Sequence, residues 1–235
     1  MILAGQQTGG RGRSGRSFQS PPSKGLYLTA LLRPTAAPAA VLPVTALAAV
    51  AACRAIERIC GLRPGIKWTN DLVLDTRKLV GILTEMGVEG ETGVLQYVAV
   101  GIGINLNQTQ ADFSGAVADM ATSLRMVLGR TVSRAELAVA LMEELDRLYA
   151  ALLTQDYAPW LAEYRRSCVY AGPSGAHPRQ RPGTRGLCRG NRRRLRIGRA
   201  LRRRPGGKPS AAEKFPCAVC MDTYKMQQPL YFTGK

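Results

Sequence analysis

Long apolar runs are missing from this 235-residue chain. The most apolar stretch, Val41 to Val50, contains Pro43 and leads into Arg54, Glu57 and Arg58. It falls short of the length that a bilayer demands. A secretory signal is also missing, since Gly, Gln and Arg follow Met1 almost at once. The six cysteines fall at irregular spacing, which does not make a disulfide framework in a chain this long. A cytoplasmic protein with reduced thiols, away from membranes, is the expectation. Histidine is nearly absent, His177 being the single one. A structural zinc site needs four ligands, and the one Cys-x-x-Cys, Cys217-Ala-Val-Cys220, has only Cys188 and His177 near it. Zinc is therefore set aside. Gly101-Ile-Gly103 lacks the third glycine and the following helix of a dinucleotide fingerprint.

Acidic residues are scarce, and unevenly so. Residues 1–169 carry 17 Lys+Arg against 14 Asp+Glu, an ordinary balance. Residues 170–235 carry 16 Lys+Arg against only Glu213 and Asp222, among prolines and glycines. No apolar periodicity survives there, so this basic tail cannot offset its ordering entropy and is expected to be disordered. The abrupt change of texture at residue 170 reads as out-of-frame translation of a GC-rich gene, which resequencing the coding DNA tests.

What is present begins with Ala4-Gly-Gln-Gln-Thr-Gly-Gly-Arg-Gly-Arg-Ser-Gly-Arg16, with Phe18 just beyond. Glycine lets a backbone approach a ligand closely, and the interleaved arginines supply forked donors for carboxylates and phosphates. Such a loop is suited to fold over an anionic small molecule. On composition alone it reads equally as a solvated arginine–glycine segment.

Leu26 to Leu32, short and apolar between Gly25 and Pro34, reads as a strand. The alanine-rich pattern from Ala39 to Cys60 is helical, with Gly61 where a C-terminal cap belongs. Ile66-Lys-Trp68 is strand-like and ends in the polar turn Thr69-Asn-Asp71, with Leu72 to Leu74 as a further short strand. Leu79 to Met86 and Val94 to Val100 look like paired antiparallel strands. Ser133-Arg-Ala-Glu136 is a capping box opening a helix whose leucines (137, 141, 145 and 148) form one stripe for packing on the sheet. Strands and helices mix without regular βαβ alternation, which predicts an α+β domain over 1–169.

Four segments must be seen together: the Gly/Arg loop, Lys67-Trp-Thr-Asn-Asp-Leu72, Lys78-Leu-Val-Gly-Ile-Leu-Thr-Glu85 and Gly101-Ile-Gly-Ile-Asn-Leu-Asn107. In this order and spacing, the set resembles the catalytic domain of biotin–protein ligases from about residue 4 to about residue 168. The resemblance implies a mixed, largely antiparallel sheet with helices packed on it, the class II synthetase-like fold shared with lipoyl ligases. It implies that ATP and biotin are substrates, with Mg²⁺, and that a biotin carboxyl carrier protein supplies an acceptor lysine. Biotinyl-adenylate forms first, and the carrier lysine then attacks it. Positioning and charge neutralisation around phosphates are what such a site needs.

By the resemblance, Lys67 and Arg13 are catalytic, with Lys67 bridging the biotin carboxylate and the α-phosphate. Gln7, Arg11, Gly12, Arg13 and Lys67 contact biotin. Arg11, Arg16, Phe18, Asn70, Asp71, Lys78 and Asn105 serve the nucleotide, with Phe18 covering the base. No residue is assigned to the metal. Read without the family, Lys67 is an exposed strand-end lysine, and Lys78 and Asn105 equally serve turns. Trp68, Ile82, Leu83 and the Val94–Val100 run read as core.

The chain also departs from the family pattern. The family's catalytic domain begins upstream with a Ser/Thr-rich biotin-contacting segment and a strand, so an N-terminal truncation is expected here. Pro/Arg/Gly-rich text stands where a small β-barrel would follow Cys168-Val-Tyr170. Thr69 replaces a customary proline. Two alternatives stay open: a nucleic-acid-binding protein whose tail grips phosphates without sequence preference, and a lipoyl-type ligase of the same fold.

Overall fold

The computed structural model describes residues 1–169. The expectations placed on the basic tail, His177 and Cys217-Ala-Val-Cys220 lie outside the described residues.

Alternating apolar residues build an antiparallel sheet from β1 (Ile2–Ala4), β2 (Leu26–Leu32), β3 (Gly65–Lys67), β4 (Asp71–Leu74), β5 (Arg77–Val88) and β6 (Leu95–Ile104). Their order is β1-β2-β6-β5-β4-β3, and each of these strand pairs is antiparallel. Among the described residues, parallel pairing is confined to the isolated bridges Ile66 to Cys168 and Lys78 to Ala121.

Register divides the sheet into two unlike faces, because side chains alternate with a period of two. Leu28, Ile82 and Ile102 lie level across the three central strands, as do Ala30, Thr84 and Val100. Leu28, Ala30, Ile82, Val100 and Ile102 are buried under the helices. The opposite face carries Tyr27, Gly103 and Gly81 in one row and Thr29, Gly101 and Leu83 in the next. That face is almost bare of side chains at its centre.

Helix α1 (Val44–Cys60) covers the first face, and its Thr45 hydroxyl donates to Thr84 Oγ1 at 2.9 Å. Ala48 through Cys53 and Ala55 to Ile56 are all fully buried, as befits a helix packed on several sides. Gly61 caps it in the left-handed conformation at φ 67°, its N–H returning to the Glu57 carbonyl at 2.8 Å. Helix formation begins later than the alanine pattern predicts. Pro38–Val41 forms a 3-10 turn and Pro43 sits at the N-cap, since proline has no N–H to continue the ladder.

By length and hydropathy, Pro38–Cys60 is long and apolar enough to cross a membrane, contrary to the expectation. In this fold 72% of its most apolar window is buried inside the protein.

Helices α2 (Val117–Met120) and α3 (Leu124–Leu128) follow the sheet and precede α4 (Arg134–Thr154) and α5 (Ala158–Ser167). The stripe of Leu137, Leu141, Leu145 and Leu148 is buried as expected. It packs chiefly on α1, however, with a smaller contact to β2. The alanines of α1 let a second helix approach closely and so form a two-helix layer over the sheet. Ser133 caps α4 by accepting from the Glu136 N–H at 3.3 Å. Helix α5 is tied to α1 through Glu163, which accepts from Arg54 Nε at 3.1 Å and from Arg63 Nη2 at 2.6 Å. The Arg54 guanidinium also lies 4.1 Å over the Trp160 ring.

Candidate functional site

The Gly/Arg loop lies over the bare face of the sheet. It closes into a hairpin, while Arg11 and residues 14–17 stay exposed. Gly12 N–H donates to the Arg16 carbonyl at 2.6 Å, and Phe18 N–H donates to the Gly10 carbonyl at 2.9 Å. A side chain at Gly10 would put its Cβ 2.4 Å from the Phe18 carbonyl, so glycine is required for this closure. Gln7 takes part as well, its Oε1 accepting from the Ser20 hydroxyl at 2.9 Å.

Phe18 lies on the glycine row. A Cβ at Gly103 would meet its ring at 2.7 Å, and Tyr27 packs edge-on at 6.4 Å. The ring stands between two cavities and lines both.

The first cavity, about 270 Å³, runs along the open face. Its floor is Gly81, Gly101, Gly103 and Ala99, its sides include Gln7, Thr29, Leu83 and Glu85, and Arg11, Gly12 and Arg13 roof it. The second, about 460 Å³, is lined by Arg16, Lys67, Asp71, Asn105, Phe113 and Met120. Gly12, Arg13, Phe18, Asn70 and Lys78 line both and form the junction.

The residues expected to hold biotin therefore divide. Gln7, Arg11, Gly12 and Arg13 stand on the first cavity, while Lys67 stands on the second. Of those expected on the nucleotide side, Arg16, Phe18, Asn70, Asp71, Lys78 and Asn105 line the second cavity, while Arg11 lines only the first.

The junction is held by the turn between β3 and β4. Asn70 Nδ2 donates to the Ile82 carbonyl at 2.8 Å, and the Ile82 N–H donates back to the Asn70 carbonyl at 2.9 Å. Arg13 Nη1 donates to Asn70 Oδ1 at 3.2 Å and also to Thr69 Oγ1. Lys78 Nζ pairs with Asp71 Oδ1 at 2.7 Å. Asn105 is buried: its amide lies 3.5 Å from the Lys78 carbonyl and its Oδ1 accepts from Gln108 Nε2 at 3.3 Å. It thus shapes the strand that carries Lys78 while still lining the second cavity.

Two core expectations are corrected. Trp68 is 42% exposed, because the turn after β3 carries it off the sheet. Within the other run, Ile82, Leu95, Val98 and Val100 are core, but Val94 is exposed and Leu83 and Ala99 face the first cavity. The period of two decides which is which.

Sequence reasoning missed Thr29, Glu85 and Phe113 as lining residues. For Glu85 a signal existed: it is four residues from Gly81 on the same strand and so shares its face. Phe113 is the C-cap of the 3-10 turn Gln110–Asp112, whose signal is the capping box Thr109-Gln-Ala-Asp112. That turn is held by Asp112, whose carboxyl is lowered to about 2, first by the Lys24 ammonium and then by the Thr109 N–H. Among the described residues, no group of three His, Cys, Asp or Glu side chains could hold a metal. Asp71 is the single carboxylate lining the second cavity.

A cationic junction between an elongated, glycine-floored groove and a wider polar chamber suits a ligand with an anion at its middle. The chain is also similar to known proteins. The profile of the biotin/lipoate A/B protein ligase family matches residues 1–105. A biotin–[acetyl-CoA-carboxylase] ligase of Paracoccus denitrificans is 38% identical over 174 residues, covering 70% of each chain. The bifunctional ligase/repressor BirA of Bacillus subtilis is 36% identical over 159 residues, which is 68% of this chain and 48% of that protein. The chain thus spans about half the length of the BirA relatives it matches. A solved biotin protein ligase of Aquifex aeolicus, in complex with biotin and ATP, superposes with a TM-score of 0.60. It is 26% identical, with 72% of this chain and 68% of that chain covered.

Proposed function

The chain belongs to the biotin/lipoate A/B protein ligase family, and on that premise we propose that it activates biotin with ATP and passes it to a lysine of a carboxylase carrier protein. The observation that supports this best is the junction at which both cavities meet Arg13, Asn70 and Lys78. Biotin lies in the glycine-floored groove, with its carboxylate at the junction and its ring end toward Thr29 and Glu85. ATP lies in the second chamber, with its α-phosphate at the same place.

The carboxylate oxygen then bonds to the α-phosphorus while the bond to the bridging oxygen breaks, releasing pyrophosphate. The carrier's lysine amine attacks the acyl carbon of the adenylate, AMP leaves, and the amine proton is lost to solvent. No covalent bond to this chain forms in either step. Its contribution is orientation and charge neutralisation. Lys67 keeps the bridging role that the resemblance implies, Lys78 lines both cavities at the junction, and Arg16 serves the nucleotide phosphates. Phe18 separates the two substrates and covers one face of each.

Mg²⁺ binds proteins through one or two carboxylates together with substrate phosphates. Asp71, the carboxylate of the second chamber, is paired with Lys78 in the ligand-free protein and, on leaving that pair, would hold the ion together with substrate phosphates. The ion, when bound, would neutralise charge on the leaving pyrophosphate.

The test is biotin-dependent exchange of labelled pyrophosphate into ATP by the full chain, followed by transfer to a carrier domain. Exchange that lipoate does not support, with transfer to the carrier, upholds the reading. Exchange driven by lipoate and not by biotin would move the chain to the lipoyl side of its family. Absence of exchange with either acid, in a folded chain, would overturn the reading.

A further inference from the structure

Thr69 carries one of the two oxygens that accept from Arg13 at the junction. The residue is only 5% exposed and sits in the turn between β3 and β4. The turn is fixed from two sides. The Tyr164 hydroxyl of α5 donates to the Thr69 carbonyl at 3.0 Å, and Asn70 exchanges two hydrogen bonds with Ile82 of β5. With its backbone fixed this way, Thr69 Oγ1 faces the Gly/Arg loop, where it accepts from Arg13 Nη1.

This oxygen both donates and accepts. A threonine hydroxyl has one proton and two lone pairs. The proton goes to Asn70 Oδ1 at 3.2 Å, and a lone pair receives Arg13. Asn70 Oδ1 also accepts from Arg13 Nη1, at 3.2 Å. Both oxygens that hold the guanidinium are neutral. Among the described residues no carboxylate forms an ion pair with Arg13, whereas neighbouring Lys78 is paired with Asp71. A guanidinium held by neutral acceptors keeps its charge uncompensated by the protein, free for an anion delivered by a ligand.

We propose that Thr69 is a positioning residue: its hydroxyl, with Asn70, docks Arg13 at the junction of the two cavities in the ligand-free protein and so orders the Gly/Arg loop before substrate arrives. The docking itself is independent of the proposed reaction. Its effect on turnover rests on the adenylation reading above.

The experiment is timed trypsin digestion of the ligand-free full chain, following cleavage after Arg13 and, as a reference, after exposed Arg130. Proteolysis of a folded chain follows the population of the open form. Losing a hydrogen bond to a charged group should raise that population, and hence cleavage after Arg13, about tenfold in Thr69→Val. Cleavage after Arg130 should not change, and Thr69→Ser should behave as the wild type. If valine prevents folding, Thr69→Ala, which also lacks the hydroxyl, takes its place. Wild-type cleavage after Arg13 in the hydroxyl-free variant would overturn the proposal. Equal acceleration in the serine variant would overturn it too, since the methyl group would then be what matters. In pyrophosphate exchange, the valine variant should lose about tenfold in kcat/KM, with serine restoring it. If no variant shows exchange, the adenylation reading fails and the tryptic result still decides the docking.

Discussion

Asn70 and Ile82 exchange two hydrogen bonds, side-chain amide to carbonyl at 2.8 Å and N–H to carbonyl at 2.9 Å. This pair joins the turn after β3 to the strand that supplies Gly81, Leu83 and Glu85 to the groove. One side chain thereby fixes the floor of the first cavity and, through its Oδ1, the arginine that roofs it. Asn70→Ala should lower pyrophosphate exchange about 100-fold, the scale seen when one aligned donor or acceptor of a reacting centre is removed. Asn70→Asp should lose less, because it keeps the acceptor for Arg13.

Gly103 faces the Phe18 ring with no room for a methyl group, at 2.7 Å from an added Cβ. Gly103→Ala must displace the ring toward one cavity or the other. The cost should be about 1–3 kcal/mol of stability, as for other overpacked sites. Steady-state exchange kinetics should show a raised KM for biotin.

Asp112 ties the turn bearing Phe113 to Lys24, and its carboxyl is lowered from 3.8 to about 2. A depressed carboxyl stabilises the fold fully above its ordinary value, and that contribution disappears as the pH falls toward the depressed one. Stability should therefore decline from about pH 4 toward pH 2, and Asp112→Asn should flatten that part of the profile. Thermal melts of the two proteins across this window make the comparison. Nucleotide affinity should fall in Asp112→Asn at neutral pH, since Phe113 loses its tether.

Leu141 and Leu145 of α4, a helix that packs chiefly on α1, are buried. Truncating either to alanine should cost about 2–5 kcal/mol in denaturant unfolding.

Cys53 is buried beneath the same layer, and burial pushes its thiol up to about 12. It should resist alkylation at pH 8 in the folded protein and react once denaturant is added, as mass spectrometry of labelled peptides would show.

The sheet and its helices were legible because they follow local rules. Glycine bounds β2 and caps α1, serine caps α4, and the leucines of α4 repeat at helical spacing. The partner of that leucine stripe was not legible. Nothing in α4 itself says whether an alanine helix or a sheet will lie opposite, and Ala48 to Ala52 reveal their role only when stacked. The site divided in the same manner. The Gly/Arg loop and the lysines stood out by composition and order. Which lysine reaches both cavities depended on the long-range register that sets Gly81 beside Gly103. Trp68 misled because a large aromatic is usually buried, yet here it caps an exposed turn.

The central claim is that one ligand spans both cavities through the junction at Arg13 and Lys78. Titration calorimetry with a non-hydrolysable biotinyl-adenylate analogue, against biotin and AMP separately, tests it most directly. Joining two fragments that occupy adjoining sites makes the second binding event intramolecular, so the analogue should bind at least about 100-fold more tightly than biotin alone. Lys67→Ala and Lys78→Ala should each remove much of that gain. An analogue that binds no more tightly than biotin, or a gain that survives in Lys78→Ala, would contradict the account.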